Sequence, residues 1–373
     1  MLTKLLLLFC LDTAHANDEK LNAIYKEILD FKTKNLPYSL QIEKYLSRES
    51  EIEKTGDQHK LVMDLKIKDK YPNSRKATCT TKMNLKEPLS IDRPKNQDSV
   101  NWCFDYAGAD LVANVTGEEP SAAFLGLNTL KYFNNQADGF IGKVVTGIND
   151  HGTCLEKSFN SSDYKFSEKY SDFDMASLND ELMKFYNAIS EDKKTKEDAL
   201  KLLCSNEKLS TALSEIFPEM PNSKLLDLIL KFNKSENNYV LATLINTECP
   251  VKKIPSLSKY SVKYINYLTK SNWSQLDKVL SNGGIVAIEY DSGILKDYNY
   301  GADSLNGHAS TLIGRRWNQK KNTCEFLLRN SWGKPCSNYH EDYECNNGHI
   351  WISESFFQYS PNIKRAVYLE KSK

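Results

Sequence analysis

Helix-like and strand-like patterning occupy separate stretches of this chain, and that segregation limits its architecture more than any other feature. From Cys103 onward apolar residues recur at three- and four-residue spacing. Phe104, Ala107, Gly108, Leu111, Val112 and Val115 share one face of a helix expected to begin near Cys103, capped by Ser99 or Asn101. Ala122 to Phe133 reads as a second helix and Ile141 to Ile148 as a third apolar element. Between Phe173 and Thr247 the stripes of Leu178, Leu182, Phe185, Tyr186 and Ile189, then Leu200 and Leu203, Leu225 to Phe232, and Val240 to Ile245 predict three to five helices. The last third changes period. A helix capped by Ser274 and closed by Gly283 leads into a strand over Ile285 to Tyr290. Ala309 to Trp317 and Glu325 to Asn330 form an expected hairpin, with further strands over Gly348 to Ser353 and Arg365 to Glu370.

The 373 residues suffice for one large domain or two modest ones. Lys plus Arg and Asp plus Glu both total 49, so no basic footprint for nucleic acid or a membrane surface is expected. The N-terminus, MLTKLLLLFCLDTAHA, has a short charged region, a short apolar run and an Ala-His-Ala site, which predicts a signal peptide over 1–16. That run is too short to span a bilayer, so an exported protein without stable membrane insertion is expected. Residues 17–89 read as an N-terminal extension or pro-segment. Within it a helix over Leu21 to Leu29 is ended by Pro37, and Leu61 to Ile67 alternates like a strand. Export permits disulfides. Eight cysteines follow the leader; if Cys103 is free, seven remain and at least one more lacks an intramolecular partner. Cys336 and Cys345 bracket a polar loop near Cys324. A disulfide is expected there, with a zinc site including His340 as the alternative.

Cysteine attacks a carbonyl as thiolate, and an unassisted thiol is mostly protonated at neutral pH. A helix N-terminus and a neighbouring imidazolium both favour the thiolate. Cys103 stands at the expected helix start. His59, His340 and His349 lie in or beside polar loops, and His151 follows a turn-like Asn149-Asp150. His308 differs, since it opens an apolar strand in Asn306-Gly307-His308-Ala309-Ser310. Asn330 ends the neighbouring strand and can orient the imidazole through its amide oxygen, with Trp332 shielding that bond. Gln97, six residues before Cys103, can donate to an oxyanion together with the Cys103 backbone N–H. Taken singly, Cys103 suits a buried small hydrophobe, His308 a satisfied core histidine, and Asn330 and Trp332 turn and packing residues. In combination they read as an acyl-transfer site.

Lys95-Asn96-Gln97, the six-residue step to Cys103, then Gly307-His308-Ala309 and Arg329-Asn330-Ser331-Trp332-Gly333, resemble the papain-like cysteine peptidases, and within them an exported bacterial branch. Gly348-His349-Ile350-Trp351-Ile352 and His151-Gly152-Thr153-Cys154 extend the likeness. The resemblance implies a two-lobed α+β papain-like fold with an α-helical insertion. A helical lobe, 90–172, carries the nucleophile, and a β-rich lobe, 248–373, carries the histidine and asparagine. It also implies roles for Cys103 as nucleophile, His308 as base and acid, Asn330 as orienter and Gln97 as oxyanion donor. Gly139 is expected to line the substrate strand. No metal or other cofactor is implied, and the expected partners are polypeptide substrates. His308 and Asn330 lie 205 and 227 positions after Cys103, against about 130–150 in the family. The helical block 173–247 accounts for the excess as an insertion, whose exposed face would suit a protein partner. Val100-Asn101-Trp102-Cys103-Phe104 lacks the cysteine of a common family disulfide, and Asp105 in the first turn should oppose thiolate formation. Two other functions share these residues: a binding module on a peptidase scaffold, and a thiol-dependent amidase or acyl transferase.

Overall fold

A computed structural model describes residues 79, 81–84, 87–97, 100–128, 140–161, 175–233, 239–266, 270–296, 307–354 and 365–372. By internal contacts the chain divides into Met1–Pro72 and Asn73–Lys373, and every described residue belongs to the second unit. The leader, the helix over Leu21 to Leu29, the strand over Leu61 to Ile67 and Gly139 lie outside the described residues.

An eight-stranded antiparallel sheet anchors an α+β architecture. Its strands are β1 (Lys82–Met83), β2 (Tyr260–Asn266), β3 (Val286–Asp291), β4 (Gly307–Asn318), β5 (Thr323–Arg329), β6 (Glu344–Asn346), β7 (His349–Ser353) and β8 (Arg365–Lys371). The order across the sheet is β2-β8-β3-β4-β5-β7-β6, and β1 pairs with β4. The expected hairpin is β4–β5, in register from Asn318↔Thr323 to Thr311↔Arg329 with an irregularity between Leu312 and Gly314. In its loop the Asn318 side chain accepts the backbone N–H groups of Lys320 and Lys321. β2 and β6, which the sequence reading leaves as loop, are edge strands with mixed polar residues.

Helix α1 (Cys103–Thr116) packs against this sheet. Ala107, Leu111 and Val112 share a core with Ala287, Ala309, Ile313, Leu327 and Val367. The expected Asn101 cap does not serve it. Ser99 lies outside the described residues, and the helix is entered through Trp102 with no side-chain cap. The Trp102 carbonyl instead accepts the N–H groups of Asp105 and Tyr106 at 2.9 and 3.2 Å. Of the second expected helix, α2 (Ala122–Leu127) is described; α3 (Ile141–His151) follows. Gly108 brings α1 close to α3, because a Cβ there would lie 2.6 Å from Val144 Cγ1.

Five helices fill 175–248: α4 (Met175–Glu191), α5 (Lys196–Ser205), α6 (Glu207–Ile216), α7 (Asn222–Ile229) and α8 (Val240–Glu248). Thr195 and Asn206 cap α5 and α6 by accepting from Asp198 N and Leu209 N. The helical segment returns to the α1–α3 region through a Cys154–Cys249 disulfide, a Thr153↔Lys252 bridge and a 2.8 Å hydrogen bond from Asn246 to Asn128. Helix α9 (Lys270–Ser281) begins four residues before Ser274, which is therefore interior to it and not its cap. Gly283 does close it. With φ +76° it lets Gly284 N–H reach Val279 O at 3.0 Å and its own N–H reach Leu280 O at 3.1 Å, the paired bonds that turn a helix end into the next strand.

The disulfides are Cys79–Cys324, Cys154–Cys249 and Cys336–Cys345, and Cys103 and Cys204 are free. The first ties residue 79, in the segment read as an extension, to β5 (Thr323–Arg329). Pairing of Cys336 with Cys345 removes both sulfurs from any zinc site with His340. Among the described residues no His/Cys/Asp/Glu cluster could hold a metal, and no helix is long and apolar enough to cross a membrane.

Filling the α1–α3 contact tests this packing. Gly108→Ala is expected to lower stability by about 1–3 kcal/mol, since the β-branched Val144 cannot swing aside. Adding Val144→Ala should raise the urea midpoint above that of the single variant. A double variant no more stable than Gly108→Ala would show that the two helices do not meet there.

Candidate active site

Cys103 is the first residue of α1 and is 3% exposed. The backbone N–H groups of Ala309, Phe104 and Cys103 itself lie near its sulfur, and each favours the thiolate. Two of these come from the helix start, as a nucleophile needs. The third comes from β4, one residue past His308, so the strand bearing the imidazole reaches the thiol directly.

His308 is buried, and its Nε2 lies 2.7 Å from Asn330 Oδ1. The same oxygen accepts Ser310 Oγ at 2.8 Å and Ser331 N at 2.9 Å, while Asn330 Nδ2 donates to Tyr339 Oη at 3.2 Å. Those bonds fix the amide, so Oδ1 must face the imidazole and Nε2 must carry the proton. Nδ1 is then the basic nitrogen. Ser310 also meets Tyr290 Oη at 2.8 Å, and Tyr339 Oη donates to Gly348 O at 2.9 Å. The sequence alone assigned no role to Ser310 or Tyr339. Ser310 was findable, because positions two apart on a strand share a face; Tyr339 sits in a loop with no such signal.

Trp332 lies with its ring 5.0 Å from that of His308 and 5.8 Å from that of Tyr339. Gln97 is buried on the same side. Its backbone N–H donates to Ser331 O at 2.8 Å and its Oε1 accepts Ser331 Oγ at 2.5 Å. Its Nε2 donates to Val100 O at 2.7 Å, which commits one amide hydrogen to the loop and leaves one for an oxyanion.

Electrostatically the site departs from the expected thiolate. Burial pushes the Cys103 thiol up to about 12, the charge of Asp105 adds to this, and the backbone N–H groups only partly oppose it. Burial likewise holds His308 down to about 4 against the pull of Asn330. At neutral pH the closed site therefore holds a neutral thiol beside a neutral imidazole. Asp105 is itself buried, and its Oδ1 has no hydrogen-bond partner among the described residues. Desolvation drives its carboxyl well above the ordinary range.

Behind the site, Arg329 Nε sits 3.1 Å from Asp110 Oδ2. Neither residue was singled out in the sequence, since an ion pair 219 positions apart leaves no local pattern.

Comparison with known proteins gives structural likenesses only. No protein-family model and no curated protein matches the chain. Among solved structures, a procathepsin B from Trypanosoma congolense is 12% identical, with 79% of this chain and 77% of that one covered at a TM-score of 0.41. A digestive procathepsin L 3 from Tenebrio molitor larval midgut is 15% identical, covering 80% and 72% at 0.39. Xylellain, a cysteine protease from Xylella fastidiosa, is 13% identical, covering 81% and 90% at 0.38. At such scores the likeness carries no weight for chemistry, which has to come from the site's own geometry.

Two outcomes check the electrostatics. The folded Asp105 carboxyl holds its proton more tightly than the unfolded one, so its burial costs stability increasingly as pH rises above the ordinary carboxylate range. Asp105→Asn should therefore unfold at a higher temperature than the parent at pH 8, with the difference shrinking toward pH 4; a lower melting temperature at pH 8 contradicts this. Asp110→Ala strands a buried guanidinium and should cost about 3–5 kcal/mol in urea unfolding. Asp110→Leu with Arg329→Met should cost less than Asp110→Ala alone, and the reverse order would show that the pair is not closed off from water.

Proposed function

We propose that this chain is an exported papain-like cysteine endopeptidase. The observation that carries the reading is the imidazole of His308, fixed at 2.7 Å by Asn330, on a strand whose next residue, Ala309, has its backbone close enough to the free thiol of Cys103 to favour the thiolate. A lone buried cysteine has no need of an oriented histidine. Three disulfides support an oxidising compartment.

In this reading the Cys103 proton passes to His308 Nδ1 as the sulfur attacks the peptide carbonyl. Each charge then serves as counterion to the other, which neither group has when it ionises alone. The carbonyl oxygen becomes an oxyanion held by the Cys103 backbone N–H and the remaining N–H of Gln97. His308 gives its proton to the departing amine as the C–N bond breaks, leaving a thioester on Cys103. Water enters, His308 takes its proton, and collapse of the second tetrahedral intermediate frees the acid and returns the thiol. In this reading Asn330, bonded to Nε2, keeps the imidazole from turning throughout.

One observation favours a second reading. The thiol and imidazole are both buried and both biased to neutrality, as suits a catalytically weak binding module on the same scaffold. A thiol-directed epoxide separates the two. Labelling of Cys103 in folded protein, lost in His308→Ala, is the expected result. Turnover of a mixed peptide library should fall about 10²–10⁴-fold in His308→Ala and vanish in Cys103→Ala. Labelling without peptide cleavage would point to an amidase or acyl transferase; neither labelling nor turnover would leave the binding module.

A further inference from the structure

Beside the imidazole, across the Trp332 ring, the structure holds a lysine that the mechanism does not use. The short 3-10 turn Ser292–Leu295 follows β3 and is pinned to the 336–345 loop. Leu295 O accepts His340 N–H at 2.8 Å, and Ile294 O accepts Tyr343 Oη at 2.8 Å. Lys296 comes next, and its own N–H is bonded to Gly293 O at 3.0 Å. The backbone is thus held while the side chain is exposed. Its ammonium lies over the Trp332 indole, 5.5 Å from the ring centroid. That same indole lies 5.0 Å from the imidazole of His308.

Among the described residues Lys296 enters no salt bridge. The acidic side chains of the neighbouring loop do not reach it: Asp342 lies 3.7 Å from His340 Nδ1, and Glu341 makes no ion pair among the described residues. Among the described residues, then, an aromatic face and not a carboxylate holds the cation at the edge of the site.

Chemistry decides which half of a substrate passes this point. His308 must protonate the departing amine, so the leaving fragment runs from His308 across Trp332. The two ring distances put the ammonium within roughly 10 Å of the imidazole, about three residues of extended peptide. We propose that Lys296 selects substrates bearing a carboxylate within the first three positions on the leaving-group side of the bond cut. The carboxylate can be an acidic side chain or the substrate's own C-terminus. This inference rests on the peptidase reading and names its substrate class.

The test uses the full chain and quenched fluorescent peptides that share one acyl half. Their leaving halves carry Ala throughout with an amidated end, Glu with an amidated end, Ala with a free C-terminal carboxylate, or Lys with an amidated end. Glu or the free carboxylate should raise kcat/KM about two- to fivefold over the amidated Ala peptide, as one exposed ion pair allows, and high salt should erase the gain. The two carboxylate peptides tell the sources apart. Lys296→Met should lose the preference, and Lys296→Glu should shift it to the Lys peptide. Equal cleavage of all four peptides by the parent, or a carboxylate preference that survives in Lys296→Met, overturns the assignment while the peptidase reading stands. Absence of any cleavage and of epoxide labelling at Cys103 overturns both.

Discussion

The buried pair Arg329–Asp110 sets the distance between the two halves of the site. Asp110 lies seven residues after Cys103, two helical turns, so both project from the same side of α1. Arg329 directly precedes Asn330. Holding Asp110 to Arg329 therefore fixes the helix of the thiol against the strand of the group that orients the imidazole. The guanidinium spends its remaining donors on Ser90 O and Pro88 O at 3.3 Å and on His349 Nε2 at 3.1 Å. Burial and the neighbouring guanidinium hold His349 down to about 4, so it is neutral and its Nε2 can accept. A second seam runs alongside. Gln97 N–H donates to Ser331 O, and Gly333 N–H to Lys95 O at 2.9 Å, and Lys95 is itself buried between Glu119 and Glu156 at 2.6 and 2.8 Å. The loop ahead of the nucleophile and the turn after Asn330 are thus one piece.

Rigidity of this kind has an electrostatic cost. Dry walls strengthen every hydrogen bond around Asn330, and the same walls disfavour charge on either reacting group. Helix-end N–H groups alone do not overcome that at Cys103. A proton passed from the thiol to His308 would create no net charge in the cavity, so burial opposes that transfer less than it opposes ionising either group alone. Asp105 worsens the balance, since an ionised carboxylate two residues away opposes the thiolate. Its own burial answers this by favouring the neutral acid. Taken together, the resting site is set toward the neutral state, and ionisation is a property of the pair.

Much of this was legible in the sequence where the physics is local. The β4–β5 hairpin follows from two strand-like runs around a polar loop, and it places His308 on one strand and Asn330 at the end of the next. Gly283 announces a helix end because few other residues tolerate its φ. The start of α1 was legible as well, although its cap was not: a backbone carbonyl, that of Trp102, does what Asn101 was expected to do. The misses share a cause. Asp110 with Arg329, Cys79 with Cys324 and Tyr339 with Asn330 are decided by which surfaces meet, and no spacing along the chain encodes that. The edge strands β2 and β6 were missed because most of their residues are only partly buried or exposed, so no apolar alternation marks them. In α9, Ser274 has the right residue type for a cap, but the helix begins one turn earlier.

The helical segment α4–α8 also bears on the site more closely than an appendage would. Closing a longer excursion costs little extra entropy, because the cost grows only with the logarithm of its length. The Cys154–Cys249 disulfide holds both ends of the excursion at one place. From there the segment reaches back: Tyr239, just before α8, meets Trp102 edge-on with ring centroids 5.5 Å apart. Trp102 is buried, and its carbonyl accepts the N–H groups of Asp105 and Tyr106 in the first turn of α1. The segment therefore presses on the residue from which Cys103 is presented. Any shift of α8 that moved Tyr239 would be felt first at the start of α1, where the two local N–H groups favouring the thiolate are found.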